Sequence, residues 1–292
     1  MLPRLIVPGA TYLVTRRCTQ RQYLLAPSNA CSEVFLYCLA YAVRKTRVRV
    51  HAVIVMSNHY HLVVTDELGV LPVFVECLNK LVAKCMNAVL GRWENFWASQ
   101  QASYVRLLDP EAVIEKIAYA MCNPVAAGAF ALGEQWPGVR LWRPGKRRVR
   151  RPRFFREAGL MPDSLDLAIS FPAFDGLTAD ETRRRIEDAV RETECAAQEH
   201  ARKAGRTFEA TAEPKQLSPF DAPRTREPRR KLSPSIASRD ARVRTGALAG
   251  RAEFLRRYRA AMASWLEGVR TVCFPFGTYL MRVRHGALCA EA

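Results

Sequence analysis

Two histidines separated by one residue are the first feature of this sequence that could do chemistry. His59 and His61 enclose Tyr60, and the apolar run from Leu62 to Val64 indicates a strand. Residues i and i+2 of a strand point to the same face, so the two imidazoles could hold one divalent cation between them. The alternative interpretation is a solvated or packed histidine pair at the end of a strand.

Tyr119 and Asn123 form a second pair with chemical potential. Asp109-Pro110-Glu111 supplies an N-cap, a proline at the first helical position and an early acid, so a helix starts there. Residues four apart lie on one face of a helix, one turn from each other. Tyr119 offers a phenol and Asn123 a carbonyl oxygen suited to a hard metal. Alternatively, Tyr119 is half-buried packing and Asn123 only ends the helix before Pro124.

The two pairs together suit chemistry on a phosphodiester. A metal held by two neutral imidazoles and one amide keeps its full charge, polarises the phosphate and orients it for in-line attack. A phenol beside that cation would be activated and would form a covalent phosphotyrosine. Such an intermediate conserves bond energy, so a strand can be cut and rejoined without a nucleotide cofactor. The sequence contains no Walker loop, acidic DDE-type triad or GxSxG elbow as a rival.

The composition of the 292-residue chain agrees with a phosphate-rich partner. Its 45 Lys and Arg against 28 Asp and Glu give a net charge of +17, which favours a polyanion such as nucleic acid. The hydrophobic content of 49% excludes disorder of the whole chain. Nine cysteines without a CxxC pair indicate reduced thiols. With no signal peptide or membrane-spanning run, we expect a cytoplasmic location and no membrane partner.

The order of the expected elements is β-α-β-β-α-β-α over the first half of the chain. The short turn at Ser57-Asn58 leaves no room for a helix between the two central strands, which excludes a doubly wound parallel sheet. The pattern predicts an α+β fold, a ferredoxin-like antiparallel sheet with helices on one face. The expected elements are strands at 10–17, 47–56, 60–65 and 102–108 and helices at 29–45, at 70–92 and from 110 onward.

The composition changes beyond residue 130 and suggests further divisions. We expect a core domain over 1–140 and then a mostly helical, partly flexible C-terminal extension. Its parts are a basic linker or DNA clamp over 141–156, a helical extension over 157–212, a flexible linker over 213–245, and a C-terminal helix and tail over 246–292. A capping box at Thr178 and Glu181 opens a charged helix within the helical extension.

Three segments resemble a known family. Residues 56–64 (MSNHYHLVV) resemble the HUH motif of single-tyrosine transposases, His-hydrophobic-His. Residues 119–128 (YAMCNPVAAG) resemble the tyrosine helix of the REP-associated branch of that superfamily, with its IS200-like transposase domain. Residues 3–16 resemble the first strand of the family. The match covers roughly residues 3–140 in the family's order and spacing.

The resemblance implies a function and a site. The expected fold is the HUH nuclease core, with Mg²⁺ or Mn²⁺ held by His59, His61 and Asn123 and with Tyr119 as nucleophile. The implied function is that of a transposase: a DNA endonuclease that cuts single-stranded DNA carrying hairpin or palindromic elements, leaving a 5′-phosphotyrosine and a free 3′-OH, and then joins strands. A monomer or homodimer associated with the nucleoid is expected. The alternative is a non-catalytic DNA-binding or regulatory protein that retains the fold.

Three residues depart from the family pattern. Tyr60 replaces an aliphatic residue between the histidines; on a strand it faces away from them, which favours packing over a nucleophilic role. Ser57 stands where proline is common. Ala126 stands where arginine often follows Asn-Pro-Val, which puts one phosphate or packing contact in doubt and supports the non-catalytic alternative. His51 precedes a buried-looking run and is expected to be structural.

Basic residues are the candidates for DNA contact. Residues 140–156 hold nine basic and no acidic residues, and we expect this block to border the catalytic site as a clamp or, alternatively, to be a disordered linker. An ordinary solvated face explains the basic residues of the first strand nearly as well as DNA contact. The candidates are Arg16, Arg17, Arg143, Lys146, Arg147, Arg148, Arg150, Arg151 and Arg153.

Overall fold

The computed structural model describes residues 3–155, 161–205, 208, 217–224 and 234–291. Through α3, the helices and strands follow the order expected from the sequence. The elements are β1 (Ala10–Arg17), α1 (Asn29–Thr46), β2 (Arg49–Met56), β3 (His59–Asp66), α2 (Leu71–Val89), β4 (Ser103–Leu107), α3 (Pro110–Met121), α4 (Asn123–Ala126), β5 (Arg140–Leu141), β6 (Gly145–Arg150), β7 (Ser164–Ile169), α5 (Ala179–Lys203), β8 (Ile236–Ala237), α6 (Ala241–Leu266) and α7 (Leu280–His285).

All these strands belong to one mixed sheet. The strand order is β6-β7-β2-β3-β1-β4-β8, and β5 pairs with β2 beside this path. The four central strands, β2, β3, β1 and β4, are antiparallel to one another, whereas β7 joins β2 and β8 joins β4 in parallel. The α+β class is therefore confirmed. The sheet is mixed because segments beyond the expected core add strands at both of its edges.

Helices cover both faces of the sheet. On one face, Val14 and Leu62 pack against α1 and α2. On the other, Leu13, Ile54 and Val63 pack against α3 and α5. The expectation of helices on one face was wrong, because β2 and β3 carry apolar residues at consecutive positions and so need cover on both sides. α3, in the second layer of helices, carries Tyr119.

The basic segment after residue 140 is a strand and not a linker. Gly145–Arg150 forms β6, which pairs antiparallel with β7 along its whole length. Val149 points inward and is buried, while its neighbours Arg148 and Arg150 are exposed. This alternation is typical of a strand with one buried face, so the linker interpretation of 141–156 was wrong.

The C-terminal region adds to the same fold. Of the expected flexible linker, residues 213–216 and 225–233 lie outside the described residues, but Ile236–Ala237 forms β8 beside β4. Asp240 caps α6 by accepting hydrogen bonds from the backbone N–H groups of Arg242 and Val243. The tail packs back on α6 as expected, with the buried Phe274 against Tyr258. None of the described helices has both the length and the apolarity needed to cross a membrane.

An ion pair links α5 to the C-terminal end of α3. Arg140 Nη2 lies 3.2 Å from Glu194 Oε1, and the two side chains are 8% and 14% exposed. Arg140 Nε donates to the carbonyl of Met121 at 3.0 Å, and the N–H of Gly133 donates to Glu194 Oε1 at 3.1 Å. The pair therefore holds the C-terminal end of α3 against α5.

We expect Glu194→Gln to lower the free energy of unfolding by about 3 kcal/mol, because it leaves a buried guanidinium without its countercharge. Urea denaturation measures this loss. Asp188 of the same helix pairs with Arg191 in solvent, with side chains 60% and 74% exposed, so Asp188→Asn should change the stability by less than about 0.5 kcal/mol. Equal losses in the two variants would contradict this role for Glu194.

Candidate active site

Two backbone hydrogen bonds from residues outside the β2–β3 hairpin hold the turn between these strands. The backbone N–H of Cys18 donates to the carbonyl of Asn58, and that of Leu25 donates to the carbonyl of Ser57. Ser57 is buried in this arrangement. The two bonds hold the first residue of β3, His59, at a defined point at the end of the strand.

His59 and His61 lie on the same face of the sheet, as their spacing predicts. Their ring centroids are 4.8 Å apart. In the β1–β3 register, Arg17 is opposite His59 and Thr15 is opposite His61. The pair faces α3, on the second of the two helical layers.

Hydrogen bonds to Nδ1 set the orientation of both imidazoles. The Asn58 amide donates to the carbonyl of Arg21 at 3.1 Å, so its Oδ1 is the atom that faces His59. His59 Nδ1 lies 2.7 Å from that Oδ1 and must donate to it. His61 Nδ1 lies 2.7 Å from the Thr15 hydroxyl. Each ring therefore has its Nδ1 occupied by a fixed partner, which is the arrangement that leaves Nε2 for a ligand.

Burial keeps both imidazoles neutral. Desolvation, with a smaller effect of the Arg17 charge, lowers the pKa of His59 to about 4. Desolvation and the neighbouring His59 lower the pKa of His61 well below its ordinary value. A neutral imidazole has a lone pair available for a metal ion at physiological pH. The environment therefore suits metal binding better than it suits a charged histidine pair.

Tyr119 lies beside the histidine pair. The helix that carries it begins where the sequence predicts, with the Asp109 carboxylate accepting from the N–H of Ala112 at 2.7 Å. The Tyr119 ring centroid is 5.4 Å from that of His61, in an edge-to-face arrangement. The side chain is 47% exposed, so the phenol is accessible to a large substrate.

Asn123 reaches the same place from a separate helix. Burial dominates the pKa of His59, but the Asn123 side chain acts on it in the opposite direction, so Asn123 lies next to that ring. α3 ends at Met121, however, and Asn123 begins the short α4. The expectation of one continuous helix was wrong, because Pro124 has no N–H for the carbonyl of Ala120 and its ring crowds that carbonyl.

A cavity of about 540 Å³ opens beside Tyr119. Lys116, one helical turn before Tyr119, has its Nζ 5.8 Å from the Tyr119 ring centroid and 2.6 Å from Glu115 Oε1. The C-terminal region supplies another wall through Ser238 and Arg244. Sequence reasoning missed these residues; only Lys116 had a local signal, its i−3 spacing from Tyr119.

Two aromatic residues near the motif have structural roles, as expected. Tyr60 faces the opposite layer, is fully buried, and its hydroxyl donates to Asn79 Oδ1 at 2.8 Å. His51 is buried between the carbonyl of Ser170 at 2.7 Å and the hydroxyl of Thr65 at 2.8 Å. Both ring nitrogens of His51 are therefore occupied, and neither side chain competes for the site.

The two arginines of β1 lie on opposite faces. Arg17 is opposite His59 and exposed, so it lies beside the histidine pair. Arg16 is opposite Tyr60 and points to the other face, where it donates to the carbonyl of Gln100 and lies 5.8 Å from the Trp97 ring centroid. Of the two, only Arg17 is placed to contact a substrate at Tyr119.

The basic strand lies at the far end of the sheet. Gly145 of β6 is opposite Ile169 of β7, and Ile169 is opposite Val50 of β2. His59 pairs with Met56 at the other end of β2, about 20 Å along the strand at its usual rise per residue. β6 therefore does not border the histidine pair, contrary to the expectation from the sequence, whereas Arg140, at the start of the block, lies opposite Ile54, which pairs with His61.

Several side chains of the basic block, within β6 and on either side of it, have partners within the fold. Lys146 Nζ lies 3.0 Å from Asp166 Oδ2, and Arg148 Nη1 lies 3.7 Å from Asp166 Oδ1. Arg151 Nη2 lies 2.5 Å from Asp163 Oδ1. Arg143 lies 3.4 Å from Glu134, and Arg153 is 5.1 Å from the Phe154 ring centroid. Arg147 and Arg150 are exposed on β6. The strand presents a surface that is basic but partly neutralised.

The residues of the site fit a divalent cation through their donor types. The described ranges hold no cluster of three or more His, Cys, Asp or Glu side chains suited to a metal. His59, His61 and Asn123 combine two imidazoles with one amide instead, and amide oxygens are ordinary ligands of hard cations. Mg²⁺ or Mn²⁺ would therefore meet two nitrogen donors and one oxygen donor in this group.

Two transposases are among the solved structures to which this chain is similar. One is a REP-associated tyrosine transposase bound to a REP hairpin, 17% identical, with 47% of this chain and 80% of that chain covered and a TM-score of 0.39. The other is a candidate transposase from Deinococcus radiodurans R1, 18% identical, with 35% and 82% covered and a TM-score of 0.29. No protein-family model and no curated protein matches the chain. The first likeness is to the same family that the motifs of this sequence resemble.

Proposed function

We propose that this protein is a transposase that cuts and joins single-stranded DNA through a tyrosine. The convergence of three side chains carries the proposal: the His59 and His61 rings are 4.8 Å apart, and the Tyr119 ring is 5.4 Å from His61. Neutral imidazoles beside an accessible phenol suit attack on a phosphodiester held by a metal. The +17 charge of the chain supports a DNA partner.

His59, His61 and Asn123 would hold the metal ion, Mg²⁺ or Mn²⁺. When bound, such an ion supplies positive charge that polarises a phosphate oxygen and offsets the charge of the transition state. Asn58 and Thr15 fix the two rings through Nδ1, so the ligands need little rearrangement. Arg17, beside His59, would bind a neighbouring phosphate of the DNA backbone.

Tyr119 would act as the nucleophile. Its Oη forms a bond to phosphorus as the bond from phosphorus to the 3′-oxygen breaks, which leaves a 5′-phosphotyrosine and a 3′-OH. The phenol releases its proton to solvent, and the departing 3′-oxygen takes one up, so the step balances without another reactant. In strand transfer, a 3′-OH attacks the phosphotyrosine and restores Tyr119.

DNA on both sides of the cleaved bond would contact basic groups. Lys116 and Arg244 line the cavity next to Tyr119, where unpaired nucleotides would lie. The basic strand β6 would contact a paired segment farther away, such as the stem of a hairpin. Because β6 is about 20 Å from His59 along the sheet, this contact would set the distance from the stem to the cleavage position.

A cleavage assay tests the proposed function. The full chain is incubated with labelled single-stranded DNA that carries hairpins of varied sequence, with Mn²⁺ or Mg²⁺, and the products are separated under denaturing conditions. We expect cleavage that EDTA abolishes and that fully duplex DNA does not support. DNA binding without cleavage across all the hairpins would contradict the proposal and indicate a DNA-binding protein.

Asn58 and Thr15, the hydrogen-bond partners of the two histidines, give a further prediction. We expect Asn58→Ala to lower the Mn²⁺ affinity about tenfold, because the partner of His59 Nδ1 is lost and the ring is no longer held. Thr15→Val should have a similar effect through His61. Isothermal titration calorimetry with Mn²⁺ measures both changes. The control is Asn87→Ala, which removes an amide hydrogen bond to the carbonyl of Glu94 far from the site; Mn²⁺ affinity that fell equally in the control would contradict this role of Asn58.

A further inference from the structure

A second cavity lies on the face of the sheet opposite the histidine pair. It has a volume of about 470 Å³, within the range of small-molecule sites, about 300–1,000 Å³. The N-terminal segment, β1, α2, β4 and the C-terminal tail all contribute to its wall. Arg16, the β1 arginine that points away from Tyr119, is one of its lining residues. Arg16, which is not part of the candidate active site, therefore lines a separate cavity.

Two buried polar atoms of the wall lack hydrogen-bond partners among the described residues. They are Nε of Arg16 and the hydroxyl oxygen of Thr278. Thr278 is only 3% exposed, so solvent satisfies its side chain poorly. Both atoms are closed to solvent, so a ligand in the cavity does not contact them, and the accessible groups of the wall must bind it.

The charge of the wall favours an anion. Its described residues include the guanidinium groups of Arg4, Arg16 and Arg284 and a single carboxylate, that of Glu76. Arg4 is held in place, since its Cζ lies 3.9 Å from the Tyr104 ring centroid and it donates to the carbonyl of Ala102. Arg16 is held through its Nη1 by the carbonyl of Gln100. Fixed guanidinium groups are well suited to phosphate.

The rest of the wall favours a flat ring. Tyr104, Tyr258 and Tyr279 line the cavity together with apolar side chains of α2 and α7, among them Val73 and Leu280. Aromatic side chains stack on nucleobases of any sequence. A ligand with one anionic group and one planar apolar ring matches both parts of the wall.

We propose that this cavity binds a nucleotide, with its phosphate at Arg4, Arg16 and Arg284 and its base against the tyrosines. The nucleotide is either free or an unpaired residue of a bound DNA strand. The proposal does not depend on the chemistry of Tyr119. Thr15 and Arg17, the chain neighbours of Arg16, face the histidine pair, so the two sites lie on opposite faces at the same end of β1.

Calorimetric titration of the full chain tests this site. The probes are the four deoxynucleoside 5′-monophosphates, with the four deoxynucleosides and inorganic phosphate for comparison. We expect saturable binding of at least one monophosphate that is tighter than binding of its nucleoside and of phosphate alone. Absence of monophosphate binding, or equal binding of nucleoside and monophosphate, would overturn the proposal.

Three variants locate the binding. Arg16→Gln should weaken it by about tenfold or more, the effect of losing one charge-assisted contact. Glu76→Gln, at an exposed position that folding tolerates, should tighten it a few-fold by removing the opposing charge. Arg44→Gln makes the same change as Arg16→Gln on the exposed end of α1, outside the cavity, and should leave binding unchanged. Equal affinities in wild type, Arg16→Gln and Glu76→Gln would overturn the assignment.

A competition experiment identifies the source of the nucleotide. A single-stranded oligonucleotide that displaces the bound monophosphate assigns the cavity to an unpaired residue of DNA, and failure to displace it assigns a free nucleotide. Tyr119→Phe should bind the monophosphate like wild type. Monophosphate binding without DNA cleavage would contradict the proposed function alone, and DNA cleavage without monophosphate binding would contradict this site alone.

Discussion

Tyr119→Phe should lower the rate of DNA cleavage by at least about a thousandfold, because it removes the only atom of the side chain that can attack phosphorus. Binding of the same DNA should stay within about twofold, since the phenyl ring keeps its contact with His61 and one exposed hydroxyl contributes little to affinity. Rates come from single-turnover cleavage with enzyme in excess, and affinities from fluorescence anisotropy without metal.

Tyr60→Phe is the matched control for this change. The Tyr60 hydroxyl also disappears, but it lies in the opposite layer and donates to Asn79. We expect a loss of stability of about 1 kcal/mol, because the half-buried Asn79 acceptor loses its donor, with cleavage close to the wild-type rate. Cleavage that survived in Tyr119→Phe, or that disappeared in Tyr60→Phe, would contradict the assignment of the nucleophile.

His61→Gln should weaken Mn²⁺ binding by more than about a hundredfold. This effect is larger than that expected for Asn58→Ala or Thr15→Val, which change only the hydrogen-bond partners of the ligands. Cleavage at a fixed Mn²⁺ concentration should fall at least as much, because the remaining His59 and Asn123 cannot hold the ion alone. Calorimetry measures Mn²⁺ affinity, and excess Mn²⁺ should restore part of the cleavage. Loss of cleavage with unchanged Mn²⁺ affinity would show that His61 is not a ligand.

His51→Gln separates this effect from a general loss of structure. His51 is as buried as His61, and its two ring nitrogens bond to Ser170 and Thr65. We expect this variant to unfold at a lower urea concentration, because a buried hydrogen-bond network is broken, and yet to bind Mn²⁺ like wild type. Equal losses of Mn²⁺ affinity in His51→Gln and His61→Gln would contradict the proposed ligand set.

Local patterns in the sequence were sufficient for the core of the site. The two-residue period of a strand places His59 and His61 on one face whatever the rest of the chain does. The Asp109 cap and Pro110 define where α3 begins, and that sets the face on which Tyr119 lies. These features depend on neighbours within a few residues, so their prediction needs no knowledge of tertiary contacts.

The residues that support the site depend on pairings between distant segments. Thr15 meets His61 only through the register of β1 against β3, and Arg244 enters the cavity only because β8 joins β4. Neither pairing leaves a periodic pattern in the sequence. Asn58 was visible as a turn residue, but its bond to His59 depends on the carbonyl of Arg21, which holds the amide in one orientation.

The basic block shows the same division. The nine basic residues of the block were evident from the composition, but their position was not. Among the described strands, β6 pairs only with β7, and β7 is joined to β2 at a single position. The second layer of helices was missed: we expected helices on one face only, although the consecutive apolar residues of β2 and β3 require cover on both, and the covering helices, α3 and α5, followed only from the fold.

The position of a label on the covalent product tests the central claim most directly. Hairpin-bearing single-stranded DNA is labelled at its 5′ end in one sample and at its 3′ end in another, incubated with the protein and Mn²⁺, and separated under denaturing conditions. We predict that the 3′ label alone migrates with the protein and that peptide mapping places it on Tyr119. Cleavage without a protein-linked label, or a 5′ label on the protein, would contradict a 5′-phosphotyrosine intermediate.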